Sequence, residues 1–220
     1  MSQLPRDRAN TAVREFLASR DWSSQTPARR RILAAFLRLA TTQGYNSVTM
    51  RTLGRELGMK APSLYSSFPQ GRDEIVAESL RWFTHTFARD LLNCAERADS
   101  PQEYWAELVR FHLAQQLQRP EADLWDLLVA TDRVARFLND DVRAEVELWV
   151  DLHAAMYAAA AEEMGYCFPS QGARVVFTLL DGAARWTDWS GSEEELDGLL
   201  DNAVRLTRSV LEVFQPETIA

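Results

Sequence analysis

The stretch Thr49-Met-Arg-Thr-Leu-Gly-Arg-Glu-Leu-Gly58-Met-Lys-Ala-Pro-Ser-Leu-Tyr-Ser-Ser-Phe68 decides how this chain is read. Its spacing predicts two short helices, Met50 to Leu57 and Ala61 to Ser67, separated by Gly58-Met59-Lys60. Thr49 is placed to cap the first helix through its hydroxyl. Leu53 and Leu57 lie four apart on one face, with Val48 just before them. Gly58 permits the positive φ that a tight three-residue turn needs. Pro62 is tolerated in the first turn of the second helix, where its missing N–H would have no intrahelical partner. Leu64 and Phe68, again four apart, can pack back on Leu53 and Leu57. Lys60, Ala61, Ser63, Tyr65 and Ser66 are then left on or near the outward face. They are small or polar, and Glu56 is the one carboxylate between Thr49 and Phe68. Such a helix can enter a major groove about 12 Å wide without bulk or charge repulsion.

Working outward, Thr26-Pro27 reads as an N-cap followed by a first helical position. Ile32, Phe36 and Leu39, flanked by Leu33, Leu37 and Ala40, make one apolar face that Leu64 and Phe68 can cover, and Gly44 closes that helix. Residues 1–26 read as a polar extension with a short helix around Asn10 to Ser19 carrying Val13, Phe16 and Leu17. Downstream, Val76, Leu80, Phe83, Phe87 and Leu91 share a register along a helix from about Asp73 to Arg97. Ser100 and Glu103 predict a capping box that opens a helix to about Gln118. Pro120 forces a break, Glu121 to Leu138 reads as one or two helices, and Asn139 can cap another to about Met164. Ser170 opens a helix to about Trp189, and Ser192 with Glu195 predicts a second capping box before a last helix to Phe214. The expected fold class is all-α with nine or ten helices: a helix-turn-helix domain at 27–72, and a helical bundle at 73–220 for ligand binding and dimerisation.

Composition agrees with a packed globular chain of 220 residues, 46% hydrophobic and 25% charged. The longest apolar run, Ala154 to Ala161, is far too short to span a bilayer, and no secretory leader is visible at the N-terminus, so a cytoplasmic location is expected. Two cysteines cannot build a disulfide framework or a four-thiolate zinc site. The net charge of −8 alone would discourage a nucleic-acid partner. It is unevenly spread, however: residues 1–72 carry 12 basic and 4 acidic side chains, for a net +8. A basic head on an acidic body suits an anionic partner at the head only.

At these residues the chain resembles the tetracycline-repressor (TetR) family of transcriptional regulators. The matching residues are Gly44-Tyr45, Thr49-Met50-Arg51, Leu57-Gly58, Ala61-Pro62-Ser63-Leu64-Tyr65, Phe68-Pro69 and Gly71-Arg72-Asp73-Glu74. The resemblance covers about Arg29 to Ala77; beyond it only length and helical character match. Lys60, the chain's only lysine, departs from the small hydroxyl residue usual in the family. The resemblance implies that Tyr45, Thr49, Arg51 and Arg72 hold phosphates, while Lys60, Ala61, Ser63, Tyr65 and Ser66 approach base edges of double-stranded DNA. Thr49 could instead be a cap alone, Tyr65 could spend most of its ring on the core, and Arg72 could be a solvated charge. The resemblance further implies a homodimer and a small-molecule effector in the body. Phe87, Phe111, Trp125, Trp149 and Phe177 are the candidate pocket residues, and aromatic richness suits a mostly apolar site. Trp186 and Trp189 resemble features of members that sense acyl-coenzyme-A or steroid catabolites. Val176, Leu179, Leu180, Ala183, Leu199, Leu200, Val204 and Leu211 form stripes that the resemblance assigns to the dimer interface, with packing inside one subunit as the alternative.

Two rival classes are set against this reading. His85, His112 and His153 are isolated in the sequence, no catalytic or phosphate-cradling motif occurs, and Cys94 and Cys167 read as buried hydrophobes. No catalytic residue, metal or cofactor is therefore expected. A helical adaptor that binds proteins without specific DNA binding is the second alternative, and the basic head argues against it.

Overall fold

The structure, a computed structural model, describes residues 3–22 and 25–215. Among these residues it has ten α-helices and no strand: α1 Pro5–Ala18, α2 Pro27–Gln43, α3 Met50–Leu57, α4 Ala61–Ser67, α5 Arg72–Ala95, α6 Pro101–Gln118, α7 Pro120–Ala135, α8 Asp140–Glu163, α9 Pro169–Asp181 and α10 Glu193–Val213. Short 3-10 turns lie at Tyr45–Ser47 and Ala183–Arg185. None of these helices is long and apolar enough to cross a membrane.

Local chemistry sets most of the boundaries. The Thr26 hydroxyl accepts from Arg29 N–H to start α2, and Gly44 ends it at φ 85°. Asn139 caps α8 through Val142 N–H at 2.9 Å. Both expected capping boxes differ in their return arm. Ser100 accepts from Glu103 N–H, but the Glu103 carboxylate turns to Asp99 N–H at 2.9 Å. Ser192 accepts from Glu194 N–H, while Glu195 takes hydrogen bonds from the N–H and hydroxyl of Ser190. The helix expected to reach Trp189 stops at Asp181, because Gly182 interrupts it and a 3-10 turn follows. That turn preserves the three-residue recurrence, so periodicity alone could not reveal the break.

The chain divides into two compact units whose limits differ from the expected chain segments. One unit holds Ser19–Thr86 and Pro120–Glu147; the other holds Met1–Ala18, Phe87–Arg119 and Leu148–Ala220, to the extent described. In the first, Ile32, Phe36, Leu53, Leu64, Phe68 and Ile75 are fully buried, and Leu124 and Leu128 from α7, Leu138 from the loop after it, and Val142 and Val146 from α8 complete the same core. Residues 120–147 therefore pack with the head rather than with the rest of the body.

The second unit contains α1, so the polar extension is in part a docked helix that starts five residues before the expected Asn10. Val13 is 0% exposed and Phe16 stacks on Trp149 at 5.7 Å. The Tyr104 hydroxyl donates to Asn10 Oδ1 at 2.6 Å, and Arg6 meets Glu163 at 2.8 Å. In the same unit α6, α9 and α10 pack together, with Trp105 Nε1 donating to Thr207 Oγ1 at 3.1 Å. Cys94 is half-buried and Cys167 is exposed, which corrects the reading of Cys167 as a buried hydrophobe. Its position in the loop between α8 and α9 explains the difference.

Candidate nucleic-acid interface

Thr49 begins the site. Its hydroxyl accepts from Thr52 N–H at 3.1 Å while Thr52 Oγ1 accepts from Thr49 N–H at 2.8 Å, a reciprocal capping box. Gly58 ends α3 in the left-handed region at φ 64°, and Met59 N–H returns to Gly54 O at 2.9 Å. A Cβ on Gly54 would sit 2.9 Å from Met59 O, so the α3–α4 turn closes only over a residue without a side chain. No positive φ marks Gly54 in the sequence; what demands a glycine there is the close return of the α3–α4 turn onto its backbone.

α4 is seated by its inner face. Leu64 and Phe68 are both 0% exposed, and the Arg29 guanidinium lies 4.0 Å over the Phe68 ring while bonding Ser67 O. Lys60 occupies the cap position without a side-chain cap bond. Lys60, Ala61, Ser63 and Ser66 are exposed, and Tyr65 is 48% exposed. The outward face therefore holds the five expected residues together. Thr49 and Arg51 are exposed at the start of α3.

Tyr45 and Arg72 are placed differently. The Arg72 guanidinium donates to Val48 O at 2.6 Å and Tyr45 O at 2.8 Å, and lies 3.3 Å from the Tyr45 hydroxyl. It also stacks 4.3 Å over the Tyr45 ring, which packs in turn against Phe36 and Phe137. Arg72 thus fastens the segment before Thr49 to the start of α5. Chemically, this arrangement offers hydroxyls and one ammonium along a face without a carboxylate, set on a rigid core.

The candidate effector residues fall in two places. Phe87, Phe111, Trp149 and Phe177 gather in the unit that contains α6 and α9, with Phe87–Phe111 at 5.1 Å and Phe87–Trp149 at 6.0 Å between centroids. Trp125 lies in the other unit, where its indole N–H donates to Thr84 Oγ1 at 2.9 Å. His112 and His153, isolated in the sequence, meet at 4.9 Å within the first group. Among the described residues no three His, Cys, Asp or Glu side chains converge as metal ligands. The Trp186 and Trp189 indoles donate to Leu179 O and Ser192 O, tying down the loop after α9.

Val176 and Leu180 on α9, Ala183 in the 3-10 turn after it, and Leu211 on α10 are at most 1% exposed within the chain's own packing. A Cβ on Gly172 would sit 2.5 Å from Leu211 Cδ2, so these helices are in close contact. The four other stripe residues, Leu179, Leu199, Leu200 and Val204, are half-buried. Val175 and Leu206 are 43% and 41% exposed and were not among the expected interface residues.

Residues 32–78 match the family model described as bacterial regulatory proteins, tetR family. The HTH-type transcriptional regulator LmrA of Bacillus subtilis (strain 168) is 29% identical over 76 residues, which is 34% of this chain and 40% of that protein. The match therefore spans well under two thirds of that relative. Solved structures agree over most of the chain. A tetR-family regulatory protein from Rhodococcus RHA1 has 14% identity and a TM-score of 0.69, covering 87% of this chain and 98% of its own. The ketosteroid transcriptional regulator KstR2 of Mycobacterium tuberculosis has 17% identity and a TM-score of 0.65, covering 88% and 98%. A regulator from Saccharomonospora viridis, solved in complex with choline, has 23% identity and a TM-score of 0.67, covering 86% and 97%. At these identities the likeness is one of fold.

Proposed function

The chain carries the N-terminal domain of the tetR family of bacterial regulatory proteins, and from that premise we propose that it is a homodimeric, ligand-responsive DNA-binding repressor. The observation that carries this reading is the outward face of α4: Lys60, Ala61, Ser63, Tyr65 and Ser66 exposed, without a carboxylate, on a helix fixed by two fully buried side chains. Exposed Thr49 and Arg51 add phosphate contacts, and Arg72 supports them by holding Tyr45 and Val48. One recognition helix gives modest affinity. Two of them, about 34–36 Å apart in a dimer, read two half-sites of a pseudo-palindrome.

The dimer is built on α9 and α10 through Val175, Leu179, Leu199, Leu200, Val204 and Leu206, which are among the apolar residues that the chain itself leaves at least partly uncovered there. The effector is a small, largely apolar molecule bound among Phe87, Phe111, Trp149 and Phe177. The same fold holds choline in the Saccharomonospora viridis regulator, so it accommodates small molecules. The effector must prefer the arrangement that does not bind DNA. A coupling of about 1–3 kcal/mol gives roughly 5- to 150-fold relief.

The test is a titration of the purified protein against genomic fragments at physiological salt, with the retained DNA sequenced. Enrichment of one short inverted repeat is expected. Retention without enrichment, lost at higher salt, would reduce the interaction to phosphate attraction; no retention would favour the adaptor. On the enriched fragment, Tyr65→Ala should cost about tenfold in specific affinity with helicity unchanged by circular dichroism. Unchanged affinity would remove Tyr65 from the interface.

A further inference from the structure

Five rings surround His153 on α8, all within the unit that contains α6 and α9. Trp149 stacks on it at 5.2 Å and 24°, and Tyr157 lies at 5.5 Å, one turn to either side on the same helix. Phe177 from α9 presents an edge at 4.7 Å, Phe87 from α5 lies at 5.4 Å, and His112 from α6 at 4.9 Å.

The polar groups of His112 and Tyr157 have partners. His112 Nε2 is 3.0 Å from Asp181 Oδ1 and its Nδ1 is 3.3 Å from the Tyr157 hydroxyl, which donates to Leu108 O at 3.0 Å. His153 is 2% exposed, and its Nε2 has no hydrogen-bond partner. Buried polar atoms are almost always paired, so an orphan nitrogen at the centre of a ring cluster calls for a reason. Packing does not supply one, since phenylalanine would fill the same ring volume. Burial first, and the neighbouring His112 second, hold the imidazole well below its ordinary pKa, so it is uncharged at neutral pH. Phe111, packed on Phe87 at 5.1 Å, and Phe177 are each partly exposed, and a molecule reaches the buried Nε2 only if rings of the nest move aside.

Resting on the effector reading above, we propose that this nest takes a neutral, flat, largely apolar molecule whose hydroxyl pairs with His153 Nε2. Ring faces and edges favour a flat apolar body. A hydroxyl both donates and accepts, so it satisfies Nε2 in either tautomer. A carboxylate only accepts and an ammonium only donates. Either would lose its hydration beside an uncharged imidazole, and the one carboxylate that bonds a ring of the nest, Asp181, is engaged with His112.

The test uses 2-naphthol and naphthalene, which share a ring system and differ by the hydroxyl, measured by equilibrium dialysis on the full chain. 2-Naphthol should bind at least tenfold tighter than naphthalene. His153→Phe should bind the two alike, and His153→Gln, whose amide reaches the position of Nε2, should keep the preference. Equal affinities in the unmodified protein, a preference that survives His153→Phe or is lost in His153→Gln, or binding of neither probe would overturn the proposal. If His153→Phe does not fold, His153→Gln and the unmodified protein still decide it. Retention of the enriched DNA separates the two levels. Release by 2-naphthol that His153→Phe abolishes supports both readings. Release by naphthalene as strong as by 2-naphthol keeps the effector reading and overturns the hydroxyl pairing. Binding that depends on His153 but leaves the DNA retained supports the nest and overturns the effector reading.

Discussion

Arg72 and Asp132 show how single side chains fix the head. Arg72 spends its guanidinium on Val48 O, Tyr45 O and the Tyr45 hydroxyl, so its removal takes the side-chain partner from Val48 O and leaves Tyr45 O only its bond from Val48 N–H at 3.3 Å. Arg72→Ala should cost about 1–3 kcal/mol in thermal or urea unfolding. It should weaken every DNA sequence alike, because the segment before Thr49 loosens while the face of α4 is unaltered. A change in sequence preference would instead place Arg72 at the bases. Asp132 accepts from Leu138 N–H and pairs with Arg143, each at 2.7 Å. Burial works to raise its pKa, but the hydrogen bonds from Arg143 and Leu138 and the charges of Arg143 and Arg136 outweigh it and hold the carboxyl below the usual range. A depressed carboxyl contributes its full stabilisation above an unfolded-state pKa of about 4, and loses it as the pH falls through the folded value. Asp132→Asn should therefore melt lower than the unmodified protein at pH 7, with the difference closing below about pH 4. A difference that does not change with pH would remove the charge from this account.

Among the elements, the α3–α4 turn is the tightest junction of the candidate interface. Leu53, Leu64 and Phe68 set the angle between the two helices by complete burial, and Gly54 sets their approach. Gly54→Val would drive a branched side chain against Met59 O and Leu64 Cδ1, which lie 2.9 and 3.5 Å from the position of its Cβ. Overpacking of this kind costs about 1–3 kcal/mol. Sequence-specific DNA retention should fall together with the melting temperature. A variant that melts normally and binds normally would show that the turn has slack. α1 works in the opposite sense: its core contacts, Val13 and Phe16, and its polar ties, Arg6–Glu163 and Asn10–Tyr104, lie within the unit that holds the aromatic nest.

At the scale of the molecule, the net +8 of residues 1–72 is not the charge of one unit, since α1 belongs with the other unit and the acidic segment 120–147 shares the core of the head. The basic and hydroxyl side chains count locally, at α3 and α4. α9 and α10 leave Val175 and Leu206 exposed on helices already packed on each other. Replacing both by glutamate, Val175→Glu with Leu206→Glu, should convert a dimer to monomers in sedimentation velocity with helicity preserved. A variant that still sediments as a dimer would move the interface elsewhere. Retention of the inverted repeat should fall with the dimer, since the two heads would no longer be linked.

The sequence by itself determined the helices and the outward face of α4. Caps, glycines, prolines and four-residue spacing act over a few residues, and the limits of α2, α3 and α4 follow from Thr26, Gly44, Thr49, Gly58 and Leu64 without reference to anything distant. Only the tertiary structure decided that residues 120–147 share the core of the head, that α1 packs with the body, and that half of the α9–α10 stripe is buried within one chain. Apolar periodicity says that a face will be covered and cannot say by what. The pairing of Arg72 with Tyr45 and the meeting of His153 with rings from α5, α6 and α9 depend on groups far apart in sequence. Their distances are set by packing, which no local pattern encodes.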